Sequence, residues 1–230
     1  MARLSTEAQK IFCKVSVGGE SSWERTTTAL VIASALAPWE KIIMLDSTGQ
    51  GSRLIGHPKL GPFALESLGS GAEQPSPEVW VQALIRAVDQ GFQVVVKNNV
   101  SEEWDWCLAE RDRLGGKFQS WAKVTPLHNR FVRVILRSPV HVISVLRRKE
   151  KFQVGTGSAK ADVVSLGLRS EMRKGFERAM DLVVGVDQNF AAIIEQDKTG
   201  LLPKGQSVNP REIGLKLKAW VDGTDIGKRQ

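Results

Sequence analysis

The sequence predicts an α/β fold with a largely parallel sheet, and three observations predict it. Short apolar runs alternate along the chain with segments of helical spacing. Helix-start signals stand between those runs, and Gly or Pro punctuates their ends. The composition, 42% hydrophobic and 25% charged, is that of a globular chain able to bury such a sheet.

The elements follow in order. Residues 11–17 form a strand that enters a loop at Gly18-Gly19, and 26–37 form a helix stopped by Pro38. Residues 41–45 are a second buried strand. Ser76-Pro77-Glu78 combines an N-cap serine, proline at the first helical position and an acid in the first turn. Val79, Trp80, Ala83, Leu84, Ala87 and Val88 then keep helical spacing up to Gly91. Residues 92–96 and 140–146 are a third and a fourth strand, and 121–137 a helix in which Pro126 demands a kink or a start near Thr125. Residues 180–186 and 191–195 make a hairpin that turns near Asn189. Asn209-Pro210-Arg211-Glu212 opens a last helix that runs to about residue 221. Residues 54–75 and 155–160, rich in Gly, Pro and Ser, are irregular.

Composition excludes several classes. The longest largely apolar stretch, residues 29–37, is about half of a bilayer span, and the N-terminus carries no apolar core of a secretory signal. Cys13 and Cys107 are too few for a disulfide framework, and their apolar neighbours make them buried thiols. His57, His128 and His141 have no metal-ligand spacing, so no metal is expected. These features argue against a secreted, membrane or zinc protein.

The segment after the first strand lies where a phosphate-binding loop would lie. Set against G-x-x-x-x-G-K-[ST], Gly19 opens the loop and Thr26 falls on the hydroxyl that holds Mg²⁺, with Ser21 and Ser22 between them. The second glycine is Glu24 and the lysine is Arg25, so the bare motif fails. A carboxylate ~4 Å from a phosphate repels it by about 4 kcal/mol at an effective dielectric of ~20. Arg25 binds phosphate well but is bulkier than lysine. The plain alternative is a strand-to-helix turn with Thr26 or Ser22 as its cap, which leaves weak phosphate binding at the helix N-terminus.

Three blocks, residues 91–104, 117–152 and 181–203, resemble a phage-encoded family of small RecA-like and RadA-like proteins known as AAA-family ATPases. Some of that family are linked to single-strand annealing and recombination. The resemblance covers roughly residues 10–221; residues 121–148 and the turn Asp197-Lys198-Thr199-Gly200 are its most specific parts. It implies a RecA-like P-loop NTPase core, with a mainly parallel sheet between helices and a C-terminal hairpin and helix. One domain over residues 1–230 is then expected, with an arm at 1–9, the core at 10–150 and the hairpin and last helix within 151–230. The family reads Asp-Thr-Glu after its second strand, where this chain has Asp46-Ser47-Thr48 and so lacks the water-polarising acid. It also places an Mg²⁺ aspartate at the end of the third strand, where Asn98 stands here. These changes remove the charge and positioning on which phosphoryl transfer depends, so no catalytic residue and no resident cofactor are expected.

Charge is unevenly spread. Residues 111–178 hold 16 Lys/Arg against 5 Asp/Glu, whereas residues 1–110 hold 9 against 13. Lys123, Arg130, Arg133 and Arg137 share one helix face, and Arg147 and Arg148 follow the next strand. Three readings fit these cations: contacts to the backbone of single-stranded nucleic acid, a solvated face, or docking to an acidic neighbouring subunit. Trp80, Trp121 and Trp220 fall on apolar helix sides, while Trp23 stands in the loop as a contact surface or a core residue. The leading function is a non-hydrolysing, phage-type, oligomeric descendant of a recombination ATPase that binds nucleic acid or like subunits. It would work in a bacterial host's cytoplasm or in the virion. The alternatives are a structural component of a phage particle, in which other phage proteins are the partners, and a surviving ATPase.

Overall fold

A computed structural model describes residues 10–69, 74–154 and 163–223. Its strands are β1 (Lys14–Gly19), β2 (Ile42–Asp46), β3 (Ala64–Ser67), β4 (Val94–Asn98), β5 (His141–Val154), β6 (Val163–Ser170), β7 (Leu182–Val186) and β8 (Ala192–Asp197). The helices are α1 (Ser22–Leu36), α2 (Pro77–Asp89), α3 (Ser101–Arg113), α4 (Trp121–Arg137), α5 (Phe176–Ala179) and α6 (Pro210–Val221). The sheet runs β3-β2-β4-β5-β1-β7-β8. Every pairing from β3 to β7 is parallel, and β8 returns antiparallel on β7. β6 pairs antiparallel with the outer half of β5. This is an α/β fold whose mainly parallel sheet lies between two layers of helices.

Parallel strands joined by helical crossovers are covered on both faces, so each strand is apolar on both sides. Val15, Val17, Ile42, Met44, Val94 and Val96 face one core, which α1 and α6 cover. Ile43, Leu45, Val95 and Val142 face the other, which α2 and α4 cover with Trp80, Leu84, Phe131 and Ile135. On the first side α6 approaches α1 closely: a Cβ on Gly214 would stand 2.5 Å from the Ile32 carbonyl oxygen. Only glycine allows that spacing.

Several sequence expectations hold and several need correction. The caps act as read: the Ser76 hydroxyl accepts from Val79 N at 3.4 Å and Asn209 Oδ1 from Arg211 N at 2.9 Å. β7 and β8 form the expected hairpin. α4 starts at Trp121, not near Thr125, and continues through Pro126. So close to the N-terminus, proline forfeits a single helical hydrogen bond. α1 starts four residues earlier than the spacing predicts, and β5 continues eight residues further. β3 lies within residues 54–75, read from sequence as irregular. α3 escapes the periodicity because its buried positions are Ser101, Glu103 and Cys107 rather than an apolar stripe. The expected loop at 155–160 lies outside the described residues.

Lys97 is the exception in the second core. It is fully buried on β4, and its ammonium lies 5.0 Å from the Trp80 ring and 4.1 Å from the Phe131 ring. Nζ has no hydrogen-bond partner among the described residues. Burial pushes its pKa down to about 7, against the attraction of Glu103. The unfolded chain therefore binds this proton more tightly than the folded one, and the group raises stability as pH climbs from about 7 toward the ordinary lysine value. Lys97→Met should stabilise the protein most at pH 7 and progressively less toward pH 10. Urea melts of variant and parent across that range measure the difference; parallel stability curves would contradict the assignment.

Candidate functional site

The carboxyl ends of β1, β2 and β4 meet beside the N-terminus of α1, where ligands of open α/β sheets bind. β1 ends at Gly19 and α1 begins at Ser22, so Glu20 and Ser21 alone connect them. Trp23, Glu24 and Arg25 lack glycine's backbone freedom, and Glu and Arg favour helix. The chain enters helix directly instead of wrapping a concave ring of N–H groups. Ser21 is the N-cap and makes no side-chain cap bond, and Thr26 lies inside the helix, so neither Ser22 nor Thr26 caps it as the sequence reading allowed. Glu24 becomes an acid in the first turn, where the helix dipole favours it.

Arg25 turns back on the loop. Its Nη1 donates to the carbonyls of Gly19 at 3.0 Å and Glu20 at 2.9 Å, and the residue is 3% exposed. Burial, with Arg147 nearby, pushes its pKa down to about 10, so it remains a cation at neutral pH. The donors that a phosphate-loop lysine would aim at phosphate are directed here at the loop's own backbone.

The positions expected to hold Mg²⁺ and activate water are joined to one another. The Thr26 hydroxyl lies 2.8 Å from the Ser22 carbonyl and 3.0 Å from Asn98 Oδ1, with one proton to give. Asn98 Nδ2 donates to Asp46 Oδ1 at 3.0 Å. The same carboxylate accepts from Thr48 N at 3.1 Å, Thr48 Oγ1 at 2.7 Å and Gly51 N at 2.7 Å. Gly51 is required there, because a Cβ would stand 2.9 Å from Asp46 Oδ2. Asp46, Asn98 and Thr26 are all buried. A cavity of about 290 Å³ opens in front of them, lined by Ser21, Ser22, Trp23, Gln50, Arg53 and Leu54 as well as Thr26 and Asn98. Trp23 is 41% exposed and meets the His57 ring edge-on at 5.4 Å.

The six predicted contact cations divide into two groups. Arg148 is buried: it pairs with Glu195 and, at 2.7 Å, with Glu177. It lies across Gly18 and Gly185, so these glycines admit a guanidinium rather than a phosphate. Arg147 pairs with Asp105 and, at 3.0 Å, with Glu171. Both are thus engaged in ion pairs within the fold. Arg130 is exposed and pairs with Glu78, while Lys123, Arg133 and Arg137 are exposed. Arg133 and Arg137 line a groove of about 530 Å³ with Arg173, Lys174 and His128, and no carboxylate contributes to its wall. A second groove of about 460 Å³ shares Arg173 and Lys174 and adds Arg169 and Arg178. Sequence reading passed over Arg173 and Lys174, although they fall within the same basic segment; their place beside α4 is set by the turn into α5.

A further cluster lies behind the second core. Glu103 and Cys107, one turn apart on α3, meet His128 of α4. His128 Nδ1 is 3.0 Å from Glu103 Oε2, and Cys107 Sγ donates to Glu103 Oε1 at 3.3 Å. Burial and the Glu103 carboxylate push the Cys107 thiol well up. The signal available in sequence was the Glu-x-x-x-Cys spacing, whose histidine partner comes from another helix.

A family model for the AAA domain matches residues 19–212. No curated protein matches the chain. Solved structures that match include an ATPase from the type III secretion system of pathogenic bacteria, at 12% identity and a TM-score of 0.43. The alignment covers 91% of this chain and 61% of that one, so the chain spans less than two thirds of that structure's length. No described helix is long and apolar enough to cross a membrane.

Asn98→Asp would set a second carboxylate about 3 Å from Asp46 and remove its amide donor. Like charge at that distance should cost about 5 kcal/mol at pH 7 at an effective dielectric of ~20, and much less near pH 4 or with millimolar Mg²⁺. Denaturant melts under the three conditions measure it. Unchanged stability at pH 7 would mean that Asp46 does not depend on the amide.

Proposed function

The chain belongs to the AAA-domain family, and from that premise we propose that it is a non-hydrolysing member that acts by binding the backbone of nucleic acid. The observation that carries the first half is Arg25: a buried guanidinium spent on the Gly19 and Glu20 carbonyls, at the position from which a lysine would reach phosphate. The accompanying losses point the same way. A two-residue connection cannot curl its N–H groups around a phosphate chain. A neutral Asn98 replaces an Mg²⁺ carboxylate, and Thr48 replaces the water-polarising acid. What remains is a helix N-terminus with Arg53 in the cavity wall, which supports weak binding of phosphate at most.

The groove along α4 supports the second half. Arg133, Arg137, Arg173 and Lys174 converge on a concavity without a carboxylate in its wall, and none of the four forms an ion pair among the described residues. Convergent cations on a groove suit a repeating phosphate chain and carry no base information. The phage-type placement, in DNA metabolism, rests on the resemblance of residues 117–152 and 181–203.

Neutralising about four phosphates of a single strand predicts a log–log salt slope of roughly −3. Fluorescence anisotropy with unrelated oligonucleotides between low and physiological salt measures it. Arg133→Glu with Arg137→Glu should flatten the slope by about half and weaken all oligonucleotides alike. Absence of binding by the parent at low salt would overturn the nucleic-acid reading. A reversal that leaves binding unchanged would remove the groove from it.

A further inference from the structure

We propose that Glu103, Cys107 and His128 form a site for one zinc ion that ties α3 to α4. Among the described residues these are the one group of three His, Cys, Asp or Glu donors whose ligand atoms all lie within 4.8 Å of one another. The set is mixed: a sulfur, an imidazole nitrogen and a carboxylate oxygen, which suits a borderline-soft ion rather than Ca²⁺ or Mg²⁺.

The geometry is close to what the ion requires. Zinc bonds of about 2.0–2.3 Å in a tetrahedron place neighbouring ligand atoms roughly 3.3–3.8 Å apart. The observed separations are 3.1 Å from His128 Nδ1 to Glu103 Oε1 and 3.3 Å from Cys107 Sγ to the same oxygen. A small outward movement of each side chain opens the centre. All three residues are buried, and the Trp104 ring, edge-on at 5.3 Å, helps fix the imidazole plane. His128 also forms part of the wall of the 530 Å³ groove.

Charge and protons balance. Zn²⁺ displaces the proton of the Cys107 thiol to solvent, and the thiolate and the Glu103 carboxylate together cancel the dication, with His128 neutral. The other Cys–His pair is an internal contrast: Cys13 Sγ lies 3.1 Å from His141 Nδ1, but among the described residues no third donor completes a group there.

The test uses full-length reduced protein loaded with Zn²⁺ or Co²⁺ and freed of excess metal by gel filtration. Mass spectrometry of the metal should give one equivalent per chain, and the cobalt form a thiolate-to-metal band in the near ultraviolet. The chain has two cysteines, so a band that survives Cys13→Ser can come only from Cys107. Cys107→Ser should abolish the band, and His128→Gln should weaken zinc by more than about 100-fold. Should the latter two variants fail to fold, the Cys13→Ser spectrum still decides. No band in the parent, or loss of the band in Cys13→Ser, overturns the proposal.

Discussion

A buried carboxylate has to be satisfied, and in this protein Asp46 sits where the sheet offers least help. It is the last residue of β2, its backbone paired with Ser67 and Asn98 in the ladder, and its carboxylate is removed from water. An unpaired charge in that position would cost several kcal/mol, so four donors converge on it. Much of the neighbouring sequence follows from that need. Thr48 supplies two of the donors, Gly51 lacks a Cβ that would block the third, and Asn98 supplies the fourth through an amide that an aspartate could not offer. Asn98 in turn lies within hydrogen-bond reach of Thr26 on α1, so the network spans β2, β4 and the first helix.

The same economy governs the cations. A segment with 16 Lys/Arg against 5 Asp/Glu looks uniform in sequence, but the fold divides it by depth. Arg148 is drawn inside, over two glycines and between two glutamates, where it ties β5 to β8 and α5. Arg147 links α3 to the residue after β6. Arg133 and Arg137 on α4, with no such partners among the described residues, face a groove. Depth and partners, not charge count, separate the structural arginines from those available to a ligand.

How much of this was legible varies by element. The parallel sheet, the Ser76 and Asn209 caps and the β7–β8 hairpin follow from local signals of a few residues, and sequence carries those directly. α3 was invisible because its inward face is Ser, Glu and Cys, which periodicity counts as polar. The early start of α1 was hidden by reading residues 18–26 against a motif that presumes a glycine at position 24. The Arg25 turn-back, the Arg148 pairs and the Glu103–His128 contact depend on residues 5 to 47 positions apart, and no local pattern encodes them.

The central claim is that the phosphate cradle is filled by the protein's own groups. Isothermal titration of Mg²⁺·ATP into the unmodified protein, with Glu24→Gly/Arg25→Lys in parallel, tests it most directly. The account predicts no saturable heat at millimolar nucleotide for the parent and recovered binding in the double variant. Saturable micromolar binding by the parent, lost in Arg25→Ala, would contradict it, because Arg25 would then be holding phosphate and not the loop.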